Sequence, residues 1–327
     1  MSDLDLNLRP EKLSDFIGQT DLKKQLAILI AAAQKRDQPL EHLLFYGPSG
    51  LGKTTLANLL AKEMKVNFKI TAGPALERAG DLAAILTSLE EGDIFFIDEI
   101  HRLAKVVEET LYPAMEDFRL DMVLGRGPAA RTLRLELNHF TLIGATTRIG
   151  LLSSPLRDRF GFVHRLEFYT EKELVQIISR SAHILGLKID PAAAAEIARR
   201  SRGTPRVANR ILRRVRDFAQ VAGKDLMDLF TAQKALDLLA VDDFGLTAAD
   251  RQLLRGLAEK HQGGPVGVET LAATINEDIG TVETVYEPYL MQIGLLKRTA
   301  RGRQLTPAAF DLLKLPLPAK YQQEKLL

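Results

Sequence analysis

The chain has 327 residues, which at about 150 residues per domain points to two domains, or three if some are small. Its 44 Lys and Arg nearly cancel 42 Asp and Glu, leaving a net charge of +2, so any basic surface for a nucleic-acid partner must be local. Cysteine is absent, which excludes disulfides, thiolate zinc sites and a Cys nucleophile. The acidic start, Met1-Ser-Asp-Leu-Asp-Leu, lacks the basic region of a secretory signal. The apolar run at 26–33 falls far short of the roughly 18 residues of a membrane span, so a cytoplasmic location is expected.

The first half alternates short apolar runs with amphipathic segments: a strand at Leu43-Leu-Phe-Tyr, a helix over 54–64, and strands at Ile94-Phe-Phe-Ile and Phe140-Thr-Leu-Ile. Strands apolar on both faces and interleaved with helices imply a parallel α/β sheet. Within 120–137, two β-like runs flank Gly125-Arg-Gly-Pro and predict an inserted hairpin with Arg126 at its tip. After Tyr169 the pattern turns helical, over 171–185, 192–201, 207–221 and 231–240, and reaches a boundary near Val241-Asp-Asp-Phe-Gly. Helices over 248–261, 268–275 and 281–291, then a hairpin within Gly294-Leu-Leu-Lys-Arg-Thr-Ala-Arg-Gly-Arg-Gln-Leu, predict a winged helix-turn-helix. The expected domains are therefore 1–169, 170–242 and 243–327.

Gly47-Pro48-Ser-Gly50-Leu51-Gly52-Lys53-Thr54 follows a buried strand and opens a helix, the context in which G-x-x-x-x-G-K-[ST] cradles phosphates. Its glycines let backbone N–H groups turn inward, and the helix N-terminus adds partial positive charge. Lys53 then reaches the β- and γ-phosphates of ATP, the Thr54 hydroxyl suits Mg²⁺, and Thr55 suits the α-phosphate. Asp93-Ile-Phe-Phe-Ile-Asp98-Glu99 is an apolar strand ending in two carboxylates. Asp98 is placed to meet the metal through water, and Glu99 to polarise a water attacking the γ-phosphate. Gly144-Ala-Thr146-Thr147-Arg148 ends a neighbouring strand, so Thr146 is a candidate γ-phosphate sensor. His101 follows in the Glu99 turn with no assigned role.

These motifs, with Ser154-Pro-Leu-Arg157-Asp-Arg159-Phe-Gly and Arg202-Gly-Thr-Pro-Arg206, resemble AAA+ ATPases. Leu111-Tyr-Pro-Ala-Met-Glu-Asp, Gly127-Pro-Ala-Ala-Arg, Gly263-Gly-Pro-Val-Gly and Glu287-Pro-Tyr-Leu narrow the likeness to the RuvB family of bacterial motors for Holliday-junction branch migration. The resemblance implies an AAA+ P-loop αβα domain, a small all-helical lid and a winged-helix domain that meets DNA. It implies Arg159 as an arginine finger acting on a neighbouring subunit, with Arg157 as the rival on sequence alone, and Arg206 as the sensor 2 residue. Leu8, Arg9 and Tyr169 resemble the edge of the nucleotide pocket, and Glu116, Asp117 and Phe118 its interface lining. A hexameric ring, a RuvA-like junction-binding partner on the 120–137 hairpin and a RuvC-like resolvase are further implications.

No Lys or Arg occurs from 270 to 296, while Glu277, Asp278, Glu283 and Glu287 lie along the expected recognition helix. Phosphates repel such a helix, so contact with DNA is assigned to the wing, at Arg301 first and then Arg298 and Arg303. Such contacts position the backbone without reading bases. A nucleotide-switched loader or initiator shares the ATPase motifs and is the alternative, as is a protein-unfolding machine, which has no need of a basic wing.

Overall fold

The structure is a computed structural model that describes residues 8–124, 131–319 and 321. The hairpin tip, with Arg126 and Gly127-Pro-Ala-Ala, lies outside the described residues, as do the side chains of 122–132. The chain divides into two compact units, Met1–Phe168 and Tyr169–Leu327.

The first unit is built on a five-stranded parallel sheet in the order β2-β3-β6-β1-β7. Its strands are β1 (Leu43–Tyr46), β2 (Phe68–Ala72), β3 (Ile94–Asp98), β6 (Thr141–Thr146) and β7 (Phe162–Arg165). The three central strands are the apolar runs of the sequence; every residue of β6 is buried, as are Ile94 to Ile97 of β3. Burial on both faces follows from helices covering the sheet, because a parallel strand returns through a crossover. The edge strands β2 and β7 were not anticipated. Their residues include half-exposed Lys69, Thr71 and His164 and exposed Arg165, so they carry no continuous apolar run.

The expected helix after the glycine-rich loop runs Lys53–Met64, joined by helices at Thr20–Arg36, Ala79–Leu86 and Lys105–Glu116. Val107, Leu111 and Ala114 of the last pack with Phe95, Ile97 and Leu142 of the sheet. The inserted hairpin is present as β4 (Arg119–Leu124) and β5 (Arg131–Glu136), an antiparallel pair. Leu120 and Leu135 face one another at its root and join the core, while Asp121 and Arg134, one pair further out, form an exposed ion pair at 2.9 Å.

The second unit begins with the four expected helices, at Glu171–Ile184, Pro191–Arg199, Pro205–Val221 and Leu229–Leu238. Capping sets their starts: Thr170 and Glu173 form a capping box, and Asp190, Thr204 and Asp228 each accept a backbone N–H of the first turn. A short parallel ladder, β8 (Lys188–Ile189) with β9 (Leu226–Met227), ties two connections and departs from an all-helical reading. Two residues carry no period-2 signal, which is why it was missed.

Helices Ala248–His261 and Val268–Ile275 coincide with the expected ranges. The third starts at Ile279–Thr281, widens into a π-helical turn over Val282–Tyr286, and ends over Glu287–Gln292. The wing is the antiparallel pair β10 (Leu296–Thr299) and β11 (Gly302–Leu305), followed by a helix at Pro307–Leu313 that the sequence reading did not include. Val266, in the Gly263-Gly-Pro-Val-Gly segment, exchanges both backbone hydrogen bonds with Arg303, at 2.9 and 2.7 Å. Gly302, at φ 127°, lies so close that an added Cβ would stand 2.2 Å from the Val266 carbonyl oxygen. No described helix is long and apolar enough to cross a membrane.

One buried histidine ties the first unit together. His42 lies at the start of β1; its Nε2–H donates to the Met115 carbonyl at 3.0 Å, and Nδ1 accepts the Leu142 amide at 2.9 Å. Both bonds require the neutral ring, and burial lowers the His42 pKa below its usual 6.5 despite the opposing carbonyl bond. The unfolded chain therefore takes the proton first, so stability present above about pH 6.5 is lost as pH falls. Denaturant titrations at pH 7.5, 6.5 and 5.5 should show this decline. His42→Asn should be less stable throughout, with a pH slope shallower by up to about one proton. An unchanged slope would assign the acid sensitivity elsewhere.

Candidate nucleotide site and DNA interface

The sheet order brings the sequence motifs to one edge. Gly47 leaves β1, Asp98 and Glu99 leave β3, and Thr146 ends β6, which lies between those two strands. Carboxyl ends of adjacent parallel strands share a crevice, the place where α/β sheets bind ligands.

The loop from Gly47 to Gly52 turns through left-handed conformations at Gly47 (φ 137°), Gly50 (86°) and Gly52 (103°), which a side chain would oppose. At Gly47 an added Cβ would also lie 2.7 Å from the Leu166 carbonyl oxygen. Lys53 is buried at the first position of its helix, and its Nζ donates to the Gly47 and Pro48 carbonyls at 2.7 and 2.9 Å. The ammonium is thus held inside the curve of the loop, where phosphate oxygens would meet it. Leu51 is fully buried beneath, and Thr54 and Thr55 are half-buried in the first helical turn. Glycine N–H groups, a helix N-terminus and a cation in one cradle fit a polyphosphate.

Glu99 is not glycine, yet its backbone is left-handed (φ 48°, ψ 47°), a conformation costing about 1–3 kcal/mol. Local bonds hold it there. The Asp98 carboxylate accepts the Glu99 amide at 3.0 Å, and the Glu99 carbonyl accepts the Arg102 amide at 2.9 Å. Close approach also needs Gly73, whose added Cβ would stand 2.5 Å from the Glu99 carbonyl oxygen. The side chain is fixed from β6: Thr147 Oγ1 donates to Glu99 Oε2 at 3.1 Å, and His101 Nδ1 lies 3.2 Å from the same oxygen. Thr146 is fully buried; its hydroxyl meets His101 Nδ1 at 2.8 Å and accepts the Arg148 amide at 2.9 Å, while its carbonyl accepts the Gly47 amide at 3.1 Å.

The sequence motifs therefore meet at residue 146, with a difference. Of the two threonines it is Thr147 that bonds the Glu99 carboxylate, and only the left-handed turn, invisible to spacing, brings them together.

Arg159 stacks its guanidinium 4.3 Å from the Tyr112 ring centre and donates to the Pro155 carbonyl (2.7 Å) and Glu116 Oε2 (3.0 Å). Arg157 is exposed and lies 4.0 Å from Asp158. The structure thus joins Arg159 to Glu116, while Asp117 pairs with Arg119 at 3.0 Å and Phe118 packs edge-on against Phe140. Leu8 is buried and Arg9 half-buried in the first unit. In the second, Tyr169 is buried with its amide on the Gly203 carbonyl at 2.9 Å, and Arg206 is exposed in the first turn of Pro205–Val221.

The wing brings Arg298 and Arg303 directly opposite one another, a pairing that repels unless neutralised. The neutralising group is Glu287, 1% exposed, which accepts from Arg298 Nη2 and Arg303 Nε at 2.6 Å each. Glu283 accepts a further bond from Arg303 at 3.0 Å, and Asp278 caps its own helix through the Thr281 amide. The acidic residues of the third helix are thus intramolecular partners. Arg303, 11% exposed, is engaged by both Glu283 and Glu287, whereas Arg298 remains largely exposed. Arg301, in the turn between the strands, is exposed.

Three family profiles match in chain order: the Holliday junction DNA helicase RuvB P-loop domain over residues 8–166, the RuvB AAA lid domain over 169–242, and the RuvB C-terminal winged helix domain over 243–314. The chain belongs to the RuvB family. It is similar to the Thermotoga maritima RuvB Holliday junction branch migration motor, at 49% identity and TM-score 0.88, covering 95% of this chain and 100% of that one. A single-substitution variant of that protein matches at TM-score 0.90 with the same identity, covering 99% of its length. The first unit is accordingly an AAA+ P-loop ATPase domain that binds nucleotide, and the chain is a motor ATPase acting on Holliday junction DNA. Matches to all three segments favour this over a loader or an initiator.

Gly73→Ala should lower steady-state ATP hydrolysis by about 10- to 100-fold through displacement of the Glu99 turn, while ATP affinity changes little. Arg303→Ala should cost about 3 kcal/mol of stability in denaturant titrations, because it strips a partner from a buried carboxylate. Arg301→Ala should leave stability unchanged and instead weaken duplex binding in a fluorescence anisotropy titration.

Proposed function

We propose that the chain hydrolyses ATP with Mg²⁺ in a hexameric ring and uses that cycle to draw duplex DNA through a four-way junction. The observation that carries the reading is the convergence of Lys53, Asp98, Glu99 and the Thr146–Thr147 pair on one sheet edge. Glu99 orients the attacking water, and Lys53 counters charge that develops on the transferring phosphoryl group. Thr54 and, through water, Asp98 would hold Mg²⁺, their hydroxyl and carboxylate being the hard oxygen donors it prefers. The ion's contribution is to neutralise charge on the β- and γ-oxygens.

Arg159 acts on the nucleotide of the neighbouring subunit, a contribution of about 10³- to 10⁵-fold in rate. Its stacking on Tyr112 supports the choice over Arg157, because a finger must be held in a set direction. Leu8, Arg9 and Tyr169 are assigned to nucleotide recognition, Glu116, Asp117 and Phe118 to the subunit interface, and Arg206 to sensing hydrolysis. The domains follow as 1–169, 170–242 and 243–327. A RuvA-like protein is the proposed partner of the 120–137 hairpin, with a RuvC-like resolvase in the same assembly in the cytoplasm. Arg301, supported by Arg298, grips phosphates without reading bases, as a motor that slides over any sequence requires.

The test is ATP-dependent dissociation of a synthetic four-way junction in the presence of the junction-binding partner. Wild type should dissociate it, and Glu99→Gln should retain ATP binding and lose both hydrolysis and dissociation. Hydrolysis by Glu99→Gln near the wild-type rate would remove Glu99 from its role. Strong DNA-stimulated hydrolysis without dissociation would remove translocation.

A further inference from the structure

His101 is the polar residue of the Asp98-Glu99-Ile100-His101 turn to which the proposed mechanism gives no task. Its side chain is only 7% exposed, and its Nδ1 faces two oxygens, Thr146 Oγ1 at 2.8 Å and Glu99 Oε2 at 3.2 Å. A carboxylate can only accept, so the nitrogen facing it carries the proton. Burial lowers the pKa of the ring. Among its charged neighbours Glu99 opposes that shift and Arg148 and Arg102 add to it, so at neutral pH the ring is uncharged and has one N–H to place.

We propose that His101 is a positioning residue for ATP hydrolysis: its imidazole, bonded through Nδ1 to Thr146 and set against the Glu99 carboxylate, aligns that water-orienting group and links it to the strand that contacts the phosphate loop. The inference rests on the role of Glu99 proposed above. Three observations carry it. Glu99 sits in a left-handed turn outside any regular ladder, so its direction depends on side-chain ties. Those ties number two, from Thr147 and His101, and both meet the same oxygen, Oε2, which is thereby fixed. Finally, Thr146, which meets the same ring nitrogen, is the residue whose carbonyl holds the Gly47 amide at 3.1 Å. Hydrogen bonds therefore run from the first glycine of the phosphate loop through Thr146 to His101, whose Nδ1 lies 3.2 Å from the Glu99 carboxylate. Ligand-induced movement of the Gly47 peptide reaches the carboxylate along this route. No proton is transferred; the imidazole acts only through geometry.

The chemistry of Nδ1 sets the experiment. An Asn side chain places its amide close to the position of Nδ1, whereas Gln places it nearer Nε2. Single-turnover hydrolysis by the full chain should fall about 10- to 100-fold in His101→Ala and His101→Gln, the penalty for a misdirected catalytic group, and recover most of that loss in His101→Asn. Equilibrium binding of a fluorescent ATP analogue should stay close to wild type in all three. In a Glu99→Gln background, His101→Ala should add no further loss, because the two residues act as one unit.

Wild-type turnover in His101→Ala beside an inactive Glu99→Gln would overturn the positioning role alone. Equal losses in Asn and Gln, tracking a lowered melting temperature, would overturn it in favour of simple packing. Should His101→Ala not fold, the Asn and Gln comparison still decides. Wild-type turnover in Glu99→Gln would overturn both this role and the Glu99 assignment on which it rests.

Discussion

The position of one strand, Thr141–Thr146, conditions everything at the sheet edge. It lies between the strand that feeds the phosphate loop and the strand that ends in Asp98, so its last residue reaches both. The Thr146 carbonyl holds the Gly47 amide, and the Thr146 hydroxyl and the Thr147 side chain meet the Glu99 turn. Had the two outer strands paired directly, the loop and the carboxylate would have shared an edge without any connecting side chain. Burial of every residue in the strand fixes its register, since a one-residue slip would invert each inward-facing group. Precision at the site is therefore inherited from the apolar core, and the strained backbone of Glu99 is sustained by the same packing.

A second constraint, charge neutralisation, shapes the winged helix. An acidic helix beside a basic wing looks in sequence like a surface divided between attraction to and repulsion from phosphate. In three dimensions the opposites are consumed in one another. Glu287 is almost wholly buried between two arginines that antiparallel register places face to face, and removal of any member strands a charge away from water. The cluster stiffens the hairpin and leaves its turn, with Arg301, to face outward. A rigid wing presents the exposed cation of its turn to any partner at a lower entropic cost than a mobile one would.

These two cases mark where the sequence was legible and where it was not. Continuous apolar runs identified β1, β3 and β6 because burial on both faces leaves only that pattern, and amphipathic spacing outlined the helices between and after them. The edge strands β2 and β7 escaped because half-exposed strands lack the run, and the helix at Pro307–Leu313 because seven residues carry barely two turns of periodicity. In the nucleotide site, Lys53, Asp98 and Glu99 were legible because phosphate chemistry demands those groups at fixed offsets. Thr147, Gly73 and His101 were not, since each acts on the Glu99 turn across more than 25 residues or through a left-handed backbone that no spacing encodes. The ion pairs of Arg303 were hidden for the same reason: counting charges along the chain cannot register that Glu287 and Glu283 reach it.

The second unit carries its own version of this logic. Arg202, four residues before Arg206, adopts a left-handed backbone and reaches Asp250, a fully buried carboxylate, at 3.0 Å. Its guanidinium also lies over the Tyr289 ring, whose hydroxyl bonds the Phe244 carbonyl at 2.6 Å and whose pKa burial raises to about 12. Gly245 packs so tightly that an added Cβ would stand 2.7 Å from the Arg200 carbonyl oxygen. Removing either partner of this pair while the junction stays packed costs about 3–5 kcal/mol, because the other charge is left buried. That cost exceeds thermal energy several-fold, so the segment bearing Arg206 and the wing bearing Arg301 are mechanically joined through residues 202 and 250. The junction between the helical segment and the winged helix is thus a packed, ion-paired contact, which resists independent movement of the two segments where a flexible linker would allow it.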